Sequence, residues 1–69
     1  MTPTVTYQPN DRVRLTVPGV YYDGDDQPQR LGVTLVFHVL GQDRETLEVI
    51  HRPTGRNYWL PAQQLTRVG

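Results

Sequence analysis

Tyr21 and Tyr22 precede the acidic run Asp23-Gly24-Asp25-Asp26, and Tyr58-Trp59-Leu60-Pro61 stands near the other end of the chain. Aromatic rings beside carboxylates suit a peptide that carries Arg or Lys together with apolar groups. The acidic run also raises calcium, but it departs from D-x-D-x-D-G and no glutamate follows at the twelfth position. A solvated acidic loop is the expectation. Cysteine and serine are absent, which excludes disulfides, thiolate metal sites and Cys or Ser nucleophiles. Gly-rich phosphate loops and zinc spacings are missing as well. No catalytic residue, metal or cofactor is expected.

The elements that must position these residues fit into one domain, since the chain has 69 residues. A domain of this size buries only about 60% of the surface its unfolded chain exposes, so its stability is marginal. Without disulfides it relies on a compact core, with self-association into a homo-oligomer as a further support. Seven acidic and seven basic residues cancel, and every basic residue is Arg. No global field therefore draws the chain to nucleic acid or an anionic membrane. Arg does give planar, bidentate contacts suited to protein interfaces. The segment MTPTVTYQPN has neither the basic nor the apolar region of a signal peptide. No apolar run approaches the roughly 20 residues of a membrane span. Cytoplasmic location without membrane contact is the default expectation.

Residues 1–10, with Pro3, Pro9 and Asn10, predict a flexible arm leading into a domain over 11–69. In RVRLTV, Val13, Leu15 and Val17 alternate with Arg12, Arg14 and Thr16, the period of a half-buried strand. Pro18, Gly19, Gly24 and Pro28 punctuate residues 18–31 and predict a long loop. GVTLVFHVL over 32–40 carries the strongest strand signal, being rich in β-branched residues. Gly41 to Arg44 predicts a turn, ETLEVIHR a strand, and Pro53-Thr54-Gly55 a second turn. Asn57 to Leu60 predicts a short strand, Pro61 to Gln64 one 3₁₀ turn, and Leu65 to Val68 a closing strand.

That order predicts an all-β, five-stranded SH3-like barrel with a long first loop and a 3₁₀ turn before the last strand. The start N-D-R-V-R-L resembles the G-D-R-V-R of bacterial SH3-like proteins, and G-x-x-x-W-L-P-A-x-x-L resembles their fourth strand and 3₁₀ turn. VRLTVPGVYY is similar to the start of the photosystem I E subunit and of the S subunit of the photosynthetic NDH complex. Both are accessory subunits associated with ferredoxin docking. VYYDGDDQPQRLG resembles the loop of a small cyanobacterial regulator that binds a sensor kinase. The ending HRPTGRNYWLPAQQLTRV resembles the C-terminal third of type II dihydrofolate reductase, a tetramer with one pore lined by V-Q-I-Y. Asn57, Tyr58, Trp59 and Leu60 stand in that segment's place, so its Gln and Tyr are replaced, and no lysine is present to bind cofactor phosphate.

Strand register follows from which pairing brings apolar residues together. Centring the first turn on Asp43 pairs Val39 with Leu47, Phe37 with Val49 and Leu35 with His51 on the core face. The outer face then pairs His38 with Glu48, Val36 with Ile50, and Thr34 with Arg52. The histidines fall on opposite faces and cannot share a metal. In the second hairpin a loop of two or four residues pairs Ile50 with Trp59 outside and sends Leu60 inward against Val49. A three-residue loop would instead put Trp59 into the core. The first option is favoured, because Leu60 fits a small core more easily than Trp59 does. It leaves Val36, Ile50 and Trp59 as an outward apolar stripe, the mark of an interface.

The leading expectation is a non-catalytic protein-binding module, a small accessory or regulatory subunit. Its contact surface comprises Tyr22, Asp23, Asp25, Val36, Ile50, Tyr58 and Trp59. A second is a nucleic-acid-binding domain of the KOW or Tudor type, using Arg12, Arg14 and Arg56 with Tyr58 or Trp59 to stack on a base. A third is an oligomeric reductase-like enzyme.

Overall fold

The computed structural model describes residues 5–68; residues 1–4 of the expected arm and Gly69 lie outside them. In chain order the elements are β1 (Arg12–Leu15), β2 (Gly19–Asp23), β3 (Pro28–Leu31), β4 (Phe37–Asp43), β5 (Thr46–His51), β6 (Arg56–Pro61), a 3₁₀ turn over Ala62–Gln64, and β7 (Leu65–Arg67). The seven strands form one antiparallel sheet, curled into a half-barrel, in the order β3-β2-β6-β5-β4-β1-β7. The all-β expectation and the 3₁₀ turn before the last strand hold. The strand count is seven.

The two additional strands come from residues 18–31, expected as a loop. Within β2, Tyr21 and Asp23 point inward while Val20 and Tyr22 stay exposed, the alternation of a half-buried strand. The acidic run supplies the turn. Asp23 Oδ1 accepts the backbone N–H of Asp25 and of Gln27, both at 2.9 Å. Asp26 takes a positive φ of 60°, which Asp tolerates because its side chain bonds locally. Pro and Gly at 18, 19, 24 and 28 thus mark strand ends rather than an open loop.

The core comprises Val13 and Leu15 of β1, Phe37 and Val39 of β4, Leu47 and Val49 of β5, and Leu60 of β6, all essentially inaccessible. Tyr7, Tyr21, Leu31, Tyr58, Ala62 and Leu65 close its ends. Tyr21 reaches across the mouth of the curl, its hydroxyl 2.7 Å from the Gln64 side-chain amide. The chain before β1 packs against the same body. Asn10 N–H donates to the Val39 carbonyl at 2.8 Å, and Val39 N–H to the Asp11 carbonyl at 2.9 Å.

The first hairpin differs from the expected register. β4 runs through Asp43, and the turn is Arg44-Glu45, with Arg44 at φ 57°. His38 pairs with Ile50 and Val39 with Val49; Leu40 is then bulged, and Gly41 pairs with Glu48. The displacement from the expected pairs before the bulge is two residues, so each side chain keeps its face. The bulge turns Gln42 toward the N-terminal segment. Its Oε1 accepts the Tyr7 N–H and its Nε2 donates to the Val5 carbonyl, each at 2.8 Å. Residues 32–36 lie outside β4, with Val33 and Thr34 in a turn.

The second hairpin has a four-residue loop, Arg52 to Gly55, closed by the pair His51–Arg56. Gly55 sits at φ 71°, where a side chain would be strained, and accepts this bend as the last loop residue. Trp59 faces outward and Leu60 inward, as favoured. Their partners are Glu48 and Leu47 rather than Ile50 and Val49.

Candidate functional site

The outer face of the half-barrel carries one row of side chains that crosses five strands. Pro28, Tyr22, Trp59, Glu48 and Gly41 are successive register partners on β3, β2, β6, β5 and β4. Neighbouring strands lie about 4.8 Å apart, and directly opposed Cβ atoms about 4.5–5.5 Å. Tyr22 and Trp59 therefore stand side by side, 56% and 41% exposed. A slip of one residue would have turned one of them inward. Each instead occupies the outward phase of a strand whose inward residues, Tyr21 and Asp23 or Tyr58 and Leu60, are buried.

The next row comprises Asn57, Ile50, His38 and Arg12. Ile50 is half-buried there, beside the Trp59 row. Val36 is 36% exposed and precedes β4, outside its ladder. The Nδ1 of His38 is buried with no hydrogen-bond partner among the described residues. Burial, then the positive charges of Arg52 and Arg12, hold the His38 pKa below its ordinary value. The neutral ring is thus the form this face accommodates. His51 lies on the opposite face, its ring 5.8 Å from that of Phe37.

Three expected contact residues lie elsewhere. Tyr58 is a core residue whose ring meets Phe37 edge-on at 5.6 Å. Asp23 is buried, and its carboxylate is consumed by the hairpin turn and by Gln29 Nε2 at 3.1 Å. The Gln27 N–H lowers its pKa most; burial opposes this, and the Asp25 N–H, Gln29 and Arg56 add to the lowering. Asp25 is exposed and borders an open polar cleft of about 640 Å³ with Asp23, Gln29 and Arg56. The acidic loop therefore builds a turn and one wall of a cleft, while the carboxylate beside Trp59 belongs to Glu48.

Arg12 and Arg52 both lie close enough to His38 for their charges to act on it. Arg12 and Arg14 are exposed on β1, whereas Arg56 lines the cleft at the start of β6. In the sheet β5 and β4 intervene between β6 and β1, a span of about 14 Å. Of the segment Asn57 to Leu60, Tyr58 and Leu60 are core, and only Asn57 and Trp59 face out.

Glu48 and Pro28 were not among the expected site residues. Glu48 sits in an alternating strand like any solvent-facing residue, and only the length of the second hairpin loop sets it opposite Trp59. Among the described residues no group of three or more His, Asp or Glu is placed to hold a metal ion. No helix there is long and apolar enough to cross a membrane. Compared with known protein families, with curated proteins and with solved structures, the chain matches none.

Proposed function

We propose that this chain is a non-catalytic protein-binding module, a small accessory or regulatory subunit, that docks its partner on the outer face around Tyr22 and Trp59. One observation carries the reading. Two large aromatic side chains are register partners on interior strands of the sheet, and both stand open to solvent. Aromatic residues of this kind dominate the energetics of protein interfaces, and a contiguous apolar patch on a small chain marks a contact surface. Val20, 58% exposed on β2, and Pro28 extend the patch toward the sheet edge.

We further assign the half-barrel to the SH3-like type. In support, a hairpin (β2–β3) is inserted after the first strand, a three-stranded meander (β4–β5–β6) follows, and a 3₁₀ turn leads to a last strand that pairs with the first. Zero formal net charge weighs against a nucleic-acid surface.

The test is affinity capture from the native host with immobilised wild-type chain and a Tyr22→Ser/Trp59→Ser variant of matched circular dichroism. A protein retained by the wild type and reduced at least about tenfold on the variant is expected. Equal retention on both, or recovery that nuclease abolishes, overturns the reading.

A further inference from the structure

We infer that Glu48 and Trp59 form a seat for an arginine side chain presented by an extended segment of the partner protein. This rests on the protein-binding reading and narrows it to one residue type.

Glu48 and Trp59 are directly opposed across β5 and β6 on the outer face. Glu48 is half-buried, and the one ion pair among the described residues, Arg67 with Asp11, does not involve it. On its other side the register partner is Gly41, where an added Cβ would meet nothing within 4 Å. A carboxylate therefore stands with an exposed indole on one flank and, on the other, a residue that carries no side chain. The indole offers an incoming side chain a flat apolar wall, and the carboxylate selects a positive charge.

Arginine matches this geometry better than lysine. Its planar guanidinium stacks on an aromatic face while its edge donates two parallel hydrogen bonds to a carboxylate. The half-buried position of Glu48 strengthens the contact over a fully exposed pair. Continuing across the sheet, Tyr22 and Pro28 lie about 5 and 10 Å beyond Trp59 and receive apolar groups of the same segment.

The experiment titrates full-length ¹⁵N-labelled chain with acetyl-GLRLG-amide, with its citrulline counterpart, which keeps the planar group and removes the charge, and with its glutamate counterpart. The readout is the indole N–H resonance of Trp59, the single tryptophan. Saturable displacement by the arginine peptide is expected, about tenfold tighter than by citrulline, with the gap narrowing as salt rises. Glu48→Gln should erase that preference, and Glu48→Arg should transfer it to the glutamate peptide. Should either variant fail to fold, the citrulline comparison and the salt series on the wild-type chain still decide. If citrulline displaces the Trp59 resonance as well as arginine does, the seat is overturned while the protein-binding reading stands. If none of the peptides moves it, the seat is overturned, and the capture experiment alone decides the protein-binding reading.

Discussion

The hydroxyl of Tyr7 donates to the carbonyl of Leu65 at 3.0 Å, joining two residues 58 positions apart in the chain. The ring is buried, and the Arg67 guanidinium lies over it at 4.9 Å while donating to the Thr6 carbonyl and to Asp11. Removing only the hydroxyl, Tyr7→Phe, should cost about 1 kcal/mol. Tyr7→Ala should cost about 3–5 kcal/mol, against a total of roughly 3–10 kcal/mol for a chain of this length. Urea denaturation followed by circular dichroism measures both. Equal midpoints for Ala and wild type would show that the segment before β1 contributes nothing to stability.

Trp59 and Tyr58 are adjacent in sequence and opposite in role. Trp59→Ala should change stability by less than about 1 kcal/mol, the range of a surface cross-strand pair, while abolishing partner retention. Tyr58→Ala should cost about 3–5 kcal/mol, because it removes a core ring packed on Phe37. Thermal melts of the two variants, run beside the capture assay, separate the effects.

Fluorescence gives an independent view of the same face. With Trp59 41% exposed, the free chain should emit as a solvated indole and be quenched by acrylamide and iodide. Bound partner should shift the emission to the blue and protect it from both quenchers. A blue, quencher-resistant emission from monomeric free chain contradicts the outward placement.

Two acid-sensitive windows follow from the titrating groups. His38 has a folded pKa below its ordinary 6.5, so the unfolded chain binds the proton more readily. Its contribution is full above that ordinary value and is lost as pH falls below it through the folded pKa. His38→Leu should flatten this window. Asp23 has a folded pKa below its ordinary 3.8, so its contribution persists above that value and disappears only as pH falls below it toward the folded pKa. Asp23→Ala should be less stable than wild type at pH 7, and the difference should shrink in stronger acid. Melting temperatures from pH 8 to pH 2.5 test both windows.

Much of the fold was legible in local pattern. Val13 and Leu15 alternate with Arg12 and Arg14, and the meander from Phe37 to Leu60 declares its buried face by period-two alternation. A register error of two residues leaves that face unchanged, which is why the faces of Phe37, Val39, Leu47 and Val49 follow from sequence although their partners do not. The 3₁₀ turn after Pro61 is equally local. The β2–β3 hairpin was masked by its Gly, Pro and Asp content. Those residues mark the strand ends and the turn, while the alternation of Val20, Tyr21, Tyr22 and Asp23 between them is too short to outweigh them.

The aromatic and acidic residues at the two ends of the chain point to a surface for a basic, apolar peptide, and the better fit of Leu60 to a small core predicts an outward Trp59. Tertiary structure decided which carboxylate accompanies it. Asp23 turned inward because its side chain satisfies the N–H groups of its own hairpin turn. Glu48 came opposite Trp59 because the loop from Arg52 to Gly55 has four residues and the Leu40 bulge leaves Gly41 on its other flank. Residue type and alternation are properties of a few neighbouring positions. Which outward residues stand together depends on loop length, bulges and pairing across strands, and those are settled only when the whole sheet closes around its core.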